Sequence, residues 1–97
     1  MLTLNTQGKT MQDIVDLLRN KAKETPSKIS YSYINNESDP LKTLSYDELD
    51  VKARMIAKEL LNFSKKGDRV LLLYPQGLEF IEAFFGCLYA GIIAVPA

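Results

Sequence analysis

The sequence predicts an α/β chain that runs helix, β-hairpin, helix and then a parallel strand–helix–strand unit. Three observations carry that expectation. Apolar residues recur at helical spacing after Thr10 and again after Ser45. Residues 29–34 alternate Ile, Ser, Tyr, Ser, Tyr, Ile, the period of a half-exposed strand. The closing stretch, GDRVLLLYPQGLEFIEAFFGCLYAGIIAVPA, holds an apolar run, an apolar helix and a second, β-branched run, the pattern of two parallel strands joined by a buried helix. Such a unit needs neighbours on both faces. With Ala97 as the last residue, the expectation is an incomplete α/β domain over residues 1–97 and no second domain.

The elements follow in order. Thr10 precedes Met11, Ile14, Leu17 and Leu18, with Asp13 in the first turn, which reads as an N-cap and an amphipathic helix. It should end near Glu24 and Thr25, because Pro26 disfavours helical geometry in the residue before it. Residues 35–40 form a turn by composition, and 41–44 offer the returning strand of an antiparallel hairpin. Ser45 with Glu48 is a capping box that opens the second helix. Its buried face is expected at Leu49, Ala53, Ile56, Ala57, Leu60 and Leu61. Lys65 and Lys66 put positive charge at its C-terminal end, where Gly67 is expected to take the left-handed cap. Residues 70–74 read as a strand covered on both faces.

The third helix, from about Gly77 to Ala90, is apolar almost all round, with a polar stripe of Glu79, Glu82 and the bare backbone of Gly86. Phe80, Ile81, Phe84, Phe85 and Leu88 belong to its core face. Gly86 costs roughly 1 kcal/mol of helix propensity against alanine, so a neighbour is expected to approach closely there. Gly91 ends this helix, and residues 92–95 form the last strand.

Composition excludes several classes of function. Twelve basic and 12 acidic residues balance, so no electrostatic footprint points to nucleic acid or to an anionic membrane. Histidine is absent, which removes Ser-His-Asp and Cys-His nucleophiles and His-based zinc sites. Cys87 is alone, so no internal disulfide forms and a reducing, cytoplasmic setting is expected. The N-terminus has no apolar signal-peptide region. The uncharged run 83–97 falls short of the ~18–20 residues a spanning helix needs, and Pro96 closes it, so a buried strand is the better reading of its second half.

Several motifs have plainer accounts than a functional one. Gly8-Lys9-Thr10 mimics the tail of a P-loop, but Thr3 stands where the first glycine belongs and no strand precedes it, so a helix cap suffices. Asn36-Glu37-Ser38 and Asn62-Phe63-Ser64 match the glycosylation pattern without a secretory signal to support it. The loop Tyr74-Pro75-Gln76-Gly77 lies where ligands of α/β folds bind, yet Glu79 and Glu82 just beyond it would repel phosphate, which favours a structural connection. Cys87 on an apolar face reads as a small core residue. Asp47, Glu48 and Asp50 form an acidic cluster that the dipole of the second helix accounts for. The residues alone therefore assign no catalytic, cofactor-binding or metal-binding side chain.

Two segments carry a family likeness. Leu44-Ser45-Tyr46-Asp47-Glu48-Leu49 resembles the first core motif of the adenylate-forming (AMP-binding) enzymes, and Phe85-Gly86-Cys87-Leu88-Tyr89-Ala90-Gly91-Ile92-Ile93-Ala94-Val95-Pro96-Ala97 resembles the second, of the form L-x-A-G-x-x-x-V-P. Together with GDRVLLLYPQGLEFIEAFFG, this variant is most similar to the fatty acyl-AMP ligases; many relatives have Lys where Tyr89 stands. The resemblance implies the start of a large N-terminal α/β domain that is followed by a small mobile one. It implies attack of a fatty-acid carboxylate on the α-phosphate of ATP, with Mg²⁺, and transfer of the acyl group to an acyl carrier protein in polyketide, nonribosomal peptide or lipid assembly.

The phosphate loop, acidic residue and lysine that the resemblance implies for this chemistry fall beyond the equivalent of Ala97, so no residue role carries over. The chain alone is expected to be inactive, to bind no cofactor and to self-associate through its unfinished sheet. The alternatives are a segment of an acyl-CoA synthetase or of a nonribosomal peptide synthetase adenylation domain, or a free-standing interaction module.

Overall fold

Among the described residues seven elements follow one another in the expected order: α1 (Met11–Glu24), β1 (Ile29–Tyr33), β2 (Lys42–Ser45), α2 (Tyr46–Leu60), β3 (Arg69–Leu72), α3 (Leu78–Ala90) and β4 (Ile93–Pro96). The structure, a computed structural model, describes residues 11–34, 38, 40–73 and 77–96. Thr10 as a cap, the P-loop mimic at Gly8, most of the 35–40 turn and the 74–76 loop lie outside the described residues.

Helix α1 closes where Pro26 requires it. The Thr25 N–H and hydroxyl both donate to the Lys21 carbonyl, at 2.8 and 3.1 Å. Its buried face runs through Val15, Leu18 and Ala22; Leu17, expected inside, is 51% exposed because it is rotated off that stripe. Strands β1 and β2 pair antiparallel, with a register shift between Ile29 and Tyr31. Ser30, at that irregularity, donates its hydroxyl to the Leu44 carbonyl at 2.7 Å.

The capping box of α2 forms as the sequence predicts. The Ser45 hydroxyl accepts from the Glu48 N–H at 3.1 Å, and Glu48 accepts from the Ser45 N–H at 2.9 Å. Two more N–H groups of the first turn, those of Tyr46 and Asp47, donate to the carbonyls of Lys28 and Pro26. The loop after α1 thus serves as a second cap for α2. On its inner face Leu49, Ala53 and Ala57 are buried, whereas Leu61 is the C-cap and half exposed. Gly67 does adopt positive φ, at 92°, but it does not cap α2, which ends at Leu60. It sits in the turn into β3, where its N–H donates to the Gly91 carbonyl at 2.9 Å.

Strands β3 and β4 pair in parallel, with Val70 opposite Ala94 and Leu71 opposite Val95. The strand expected at 70–74 covers 69–72, and only one of its faces is covered. Leu72 is buried on the α3 side, whereas Leu71, Leu73, Ile93 and Val95 are 57, 74, 41 and 37% exposed on the outer side. Helix α3 is the buried one, with Ala83, Phe84, Phe85, Gly86, Cys87, Leu88 and Ala90 inside. Phe84 meets Phe85 edge-on, with centroids 5.8 Å apart, and Tyr31 reaches Phe85 from the hairpin at 6.2 Å. The helix ends at Gly91 in the left-handed conformation, φ 72°, as expected.

Gly86 belongs to the buried face rather than to a polar stripe. A Cβ built there would lie 2.7 Å from Ile56 Cβ and closer still to its Cγ2. Those atoms belong to a β-branched side chain near its own backbone, which has little room to give. Gly86→Ala gains about 1 kcal/mol in helix propensity but is expected to lose about 1–3 kcal/mol to overpacking, so the net effect is destabilising. Chemical denaturation of Gly86→Ala, Ile56→Ala and the double variant checks this. The second truncation should relieve the first, and strictly additive effects would show that the two residues do not touch.

Candidate functional site

The acidic cluster at the start of α2 separates into two kinds of residue. Asp47 and Glu48 are exposed, and Glu48 serves the cap. Its pKa is lowered by the hydrogen bonds from the Ser45 backbone and hydroxyl. Asp50 is different. It is 4% exposed and points between the helices. Tyr89 of α3 donates its hydroxyl to Asp50 Oδ1 at 2.7 Å, and Arg54, one turn further along α2, meets Oδ2 at 2.9 Å. The helix dipole is therefore not a sufficient account of Asp50, which tethers two helices across 39 residues of sequence.

Over this network, α1 contributes Gln12, Val15 and Arg19 at spacings of three and four, which puts them on one helical face. With Arg54 and Tyr89 they line an open pocket of about 370 Å³. Burial pushes the Tyr89 hydroxyl well above the usual tyrosine range, and the bond to Asp50 and that residue's charge push it further, while Arg19 and Arg54 oppose. Among the described residues, no buried side-chain nitrogen or oxygen lacks a hydrogen-bond partner. The sequence carries one easily overlooked signal for this site. Asp50 and Arg54 are an i,i+4 pair beside a stripe of buried apolar residues, a position where a carboxylate needs a partner.

Two further candidates that the sequence raised, Cys87 and the start of α3, lie among the described residues. Cys87 is fully buried and its thiol is pushed up by burial, as befits a core residue without an activating neighbour. At the start of α3, Gly77 supplies no side-chain cap, Glu79 occupies the first turn, and burial raises the Glu82 carboxyl, with Lys52 opposing. A triphosphate does not fit residues of this kind, which offer carboxylates where a cradle needs cations and N–H groups. Among the described residues, no group of three or more acidic or cysteine side chains is placed to hold a metal ion. No helix among them is long and apolar enough to cross a membrane.

Comparison with known proteins gives these features their setting. Residues 18–97 match the family model described as AMP-binding enzyme, and the chain belongs to that family. It is 50% identical over 84 residues to a medium-chain-fatty-acid–[acyl-carrier-protein] ligase of Moorena producens, a match covering 87% of this chain and 14% of that protein. It is 41% identical over 90 residues to a long-chain-fatty-acid–AMP ligase of Mycobacterium tuberculosis, covering 90% of this chain and 15% of the relative. The fold superposes on a fatty acyl-adenylate ligase from L. pneumophila, solved with acyl adenylate and pyrophosphate, at TM-score 0.81 and 47% identity, over 87% of this chain and 15% of that one. A fatty acyl CoA synthetase of Mycobacterium tuberculosis follows at TM-score 0.72 and 32% identity, over 90% of this chain and 17% of that one.

The chain thus spans about 14% of the length of the curated relatives it matches, and its helix–hairpin–helix–βαβ order is that of the N-terminal part of adenylate-forming enzymes. Helix α2, which the first of the two family-like segments opens, meets the second segment through Asp50–Tyr89 and Ile56–Gly86.

Tyr89→Phe removes one of two partners from a buried carboxylate and is expected to cost about 1–3 kcal/mol of stability. A pH series supplies a second check. The folded-state pKa of Tyr89 is raised above the ordinary value of 10.0, so its contribution is fully present below pH 10 and is lost as pH rises beyond it. Denaturation at neutral and alkaline pH should therefore show a smaller alkaline loss in Tyr89→Phe than in the parent. Some loss should remain, because Tyr31 is also raised by burial. Equal alkaline losses in the two proteins would mean that Tyr89 does not face Asp50 in solution.

Proposed function

We propose that this chain acts as the N-terminal segment of a cytoplasmic ligase that activates fatty acids with ATP and Mg²⁺ as acyl-adenylates and delivers them to an acyl carrier protein, alone or within a polyketide or nonribosomal peptide synthetase. The observation that carries the reading is the 47% identity and TM-score of 0.81 shared with a fatty acyl-adenylate ligase, against 32% and 0.72 for an acyl CoA synthetase. The carrier protein as acceptor is supported by the relative from Moorena producens, a ligase that acts on an acyl carrier protein. A lone buried cysteine suits a reducing compartment.

The part this segment plays is architectural. It holds α3 and the first parallel strand pair in place, while the acyl, nucleotide and metal contacts come from elsewhere in the enzyme. The start of α3 offers carboxylates where a triphosphate needs cations, and no acidic group among the described residues is placed to hold Mg²⁺, so the 97-residue chain by itself is expected to be catalytically silent. The assay is fatty-acid-dependent exchange of labelled pyrophosphate into ATP. The purified chain should match a no-protein control, and clear turnover would overturn the assignment. If the coding sequence continues in frame, the longer product should exchange with fatty acids. Exchange with amino acids instead would move the chain to the peptide-synthetase branch.

The isolated chain should also be prone to association. Leu71, Leu73, Ile93 and Val95 form an exposed apolar face on a sheet that has two strands among the described residues, and the net charge of zero opposes association weakly. Self-association is expected, visible as a concentration-dependent mass in light scattering. A monodisperse monomer with a sharp, concentration-independent melt would instead favour a free-standing interaction module.

A further inference from the structure

We propose that the pocket between α1, α2 and α3 is a binding site for a small monocarboxylate, held between the guanidinium groups of Arg19 and Arg54. Five residues from three helices line it, Gln12, Val15, Arg19, Arg54 and Tyr89, around about 370 Å³. That volume lies within the range of ligand sites. The two arginines differ in what holds them. Arg54 is fixed from below, because Asp50 takes one of its terminal nitrogens at 2.9 Å. Its remaining N–H groups stay available, since the side chain is 55% exposed. Arg19 comes to the same pocket from α1, on an exposed position of that helix. Among the described residues no carboxylate pairs with it.

The charge balance selects the ligand class. Arg19 and Arg54 are the charged residues of the pocket lining, and of the two Arg54 is already paired with Asp50 behind it, so the lining itself presents positive charge. Asp16 is nearby, bonded to Gln12 Nε2 at 2.9 Å, and weakens the field further without lining the pocket. A phosphate dianion therefore exceeds the available charge, while a carboxylate matches it and suits the planar fork of arginine. Val15 and the Tyr89 ring offer apolar surface to a short aliphatic stem. Propionate is the simplest molecule with these properties, whether as a free acid or as the end of a glutamate side chain. The proposal rests on the pocket alone and not on the adenylation reading.

The test is an NMR titration of the isotope-labelled chain, without ATP, at constant ionic strength and at a concentration where light scattering gives the monomer mass. The probes are propionate, its neutral analogue propionamide and inorganic phosphate. Saturable shifts of the Arg19 and Arg54 side-chain Nε–H signals with propionate, absent with propionamide and weaker with phosphate, are expected. Arg19→Gln, at an exposed position that leaves the Asp50 network intact, should weaken propionate binding about tenfold, and Arg19→Lys should restore only part of it. Shifts that fail to saturate, that favour phosphate, or that persist unchanged in Arg19→Gln overturn the proposal. A peptide with a single central glutamate, run beside propionate, tells whether the carboxylate is taken from a side chain or as a free acid.

Discussion

The close approach of α2 to α3 is the constraint on which the rest of this structure depends. These two helices share the most extensive contact in the fold, and the contact is possible because Gly86 presents bare backbone to Ile56. Everything else is placed relative to that pair. The hairpin lies against α3 through Tyr31 and Phe85. The parallel strands leave from its two ends, β4 through the left-handed Gly91. Helix α1 covers the seam with Val15 and Leu18. A side chain at position 86 would push the helices apart, and the separation would be felt at Asp50, whose hydrogen bond from Tyr89 spans the same interface.

The Asp50 network adds direction to a contact that is otherwise apolar. Burying a carboxylate costs several kcal/mol unless it is paired, so in itself the group does not stabilise the fold. With Tyr89 at 2.7 Å and Arg54 at 2.9 Å the carboxylate is satisfied in only one relative setting of the two helices. Sliding α3 by one turn would strand it. Gly86 sets how near the helices come, and Asp50 sets where along each other they stop. A lysine introduced in place of Tyr89 would offer the same carboxylate a cation instead of a neutral donor, and the tether would become an ion pair.

Much of this is legible in the sequence, and what is not has physical reasons. The order of elements, the capping box, the parallel strand pair and the left-handed Gly91 follow from local rules, because each depends on residues within a few positions of one another. The close neighbour at Gly86 can be anticipated from its helix-propensity cost, although not its identity as Ile56. Local rules fail where a partner lies far along the chain. In sequence Asp50 is one more carboxylate suited to a helix N-terminus, since Tyr89 is 39 residues away. Gly67 has the look of a helix cap because glycine after lysines usually is one, but α2 stops at Leu60 and the left-handed residue serves the turn into β3 instead. Leu17 and Leu61 meet the helical period without meeting a neighbour.

The outer face of β3 and β4 bears on how the segment relates to an enzyme. Leu71, Leu73, Ile93 and Val95 are the residues a parallel sheet hides beneath a second layer, and here they face outward at 37% exposure or more. The inner face, by contrast, is closed against α3, with Leu72 and Ile92 buried. Among the described residues the sheet is therefore closed on one face and open on the other. The two family-like segments lie on the closed side of that asymmetry. They build that side, where Ser45 starts α2, Gly86 lets α3 in and Gly91 turns the chain into β4. In open α/β sheets, ligands bind beyond the carboxyl ends of the strands, at crevices that need further strands to form. Among the described residues the two parallel strands define the direction of those ends without enclosing such a crevice.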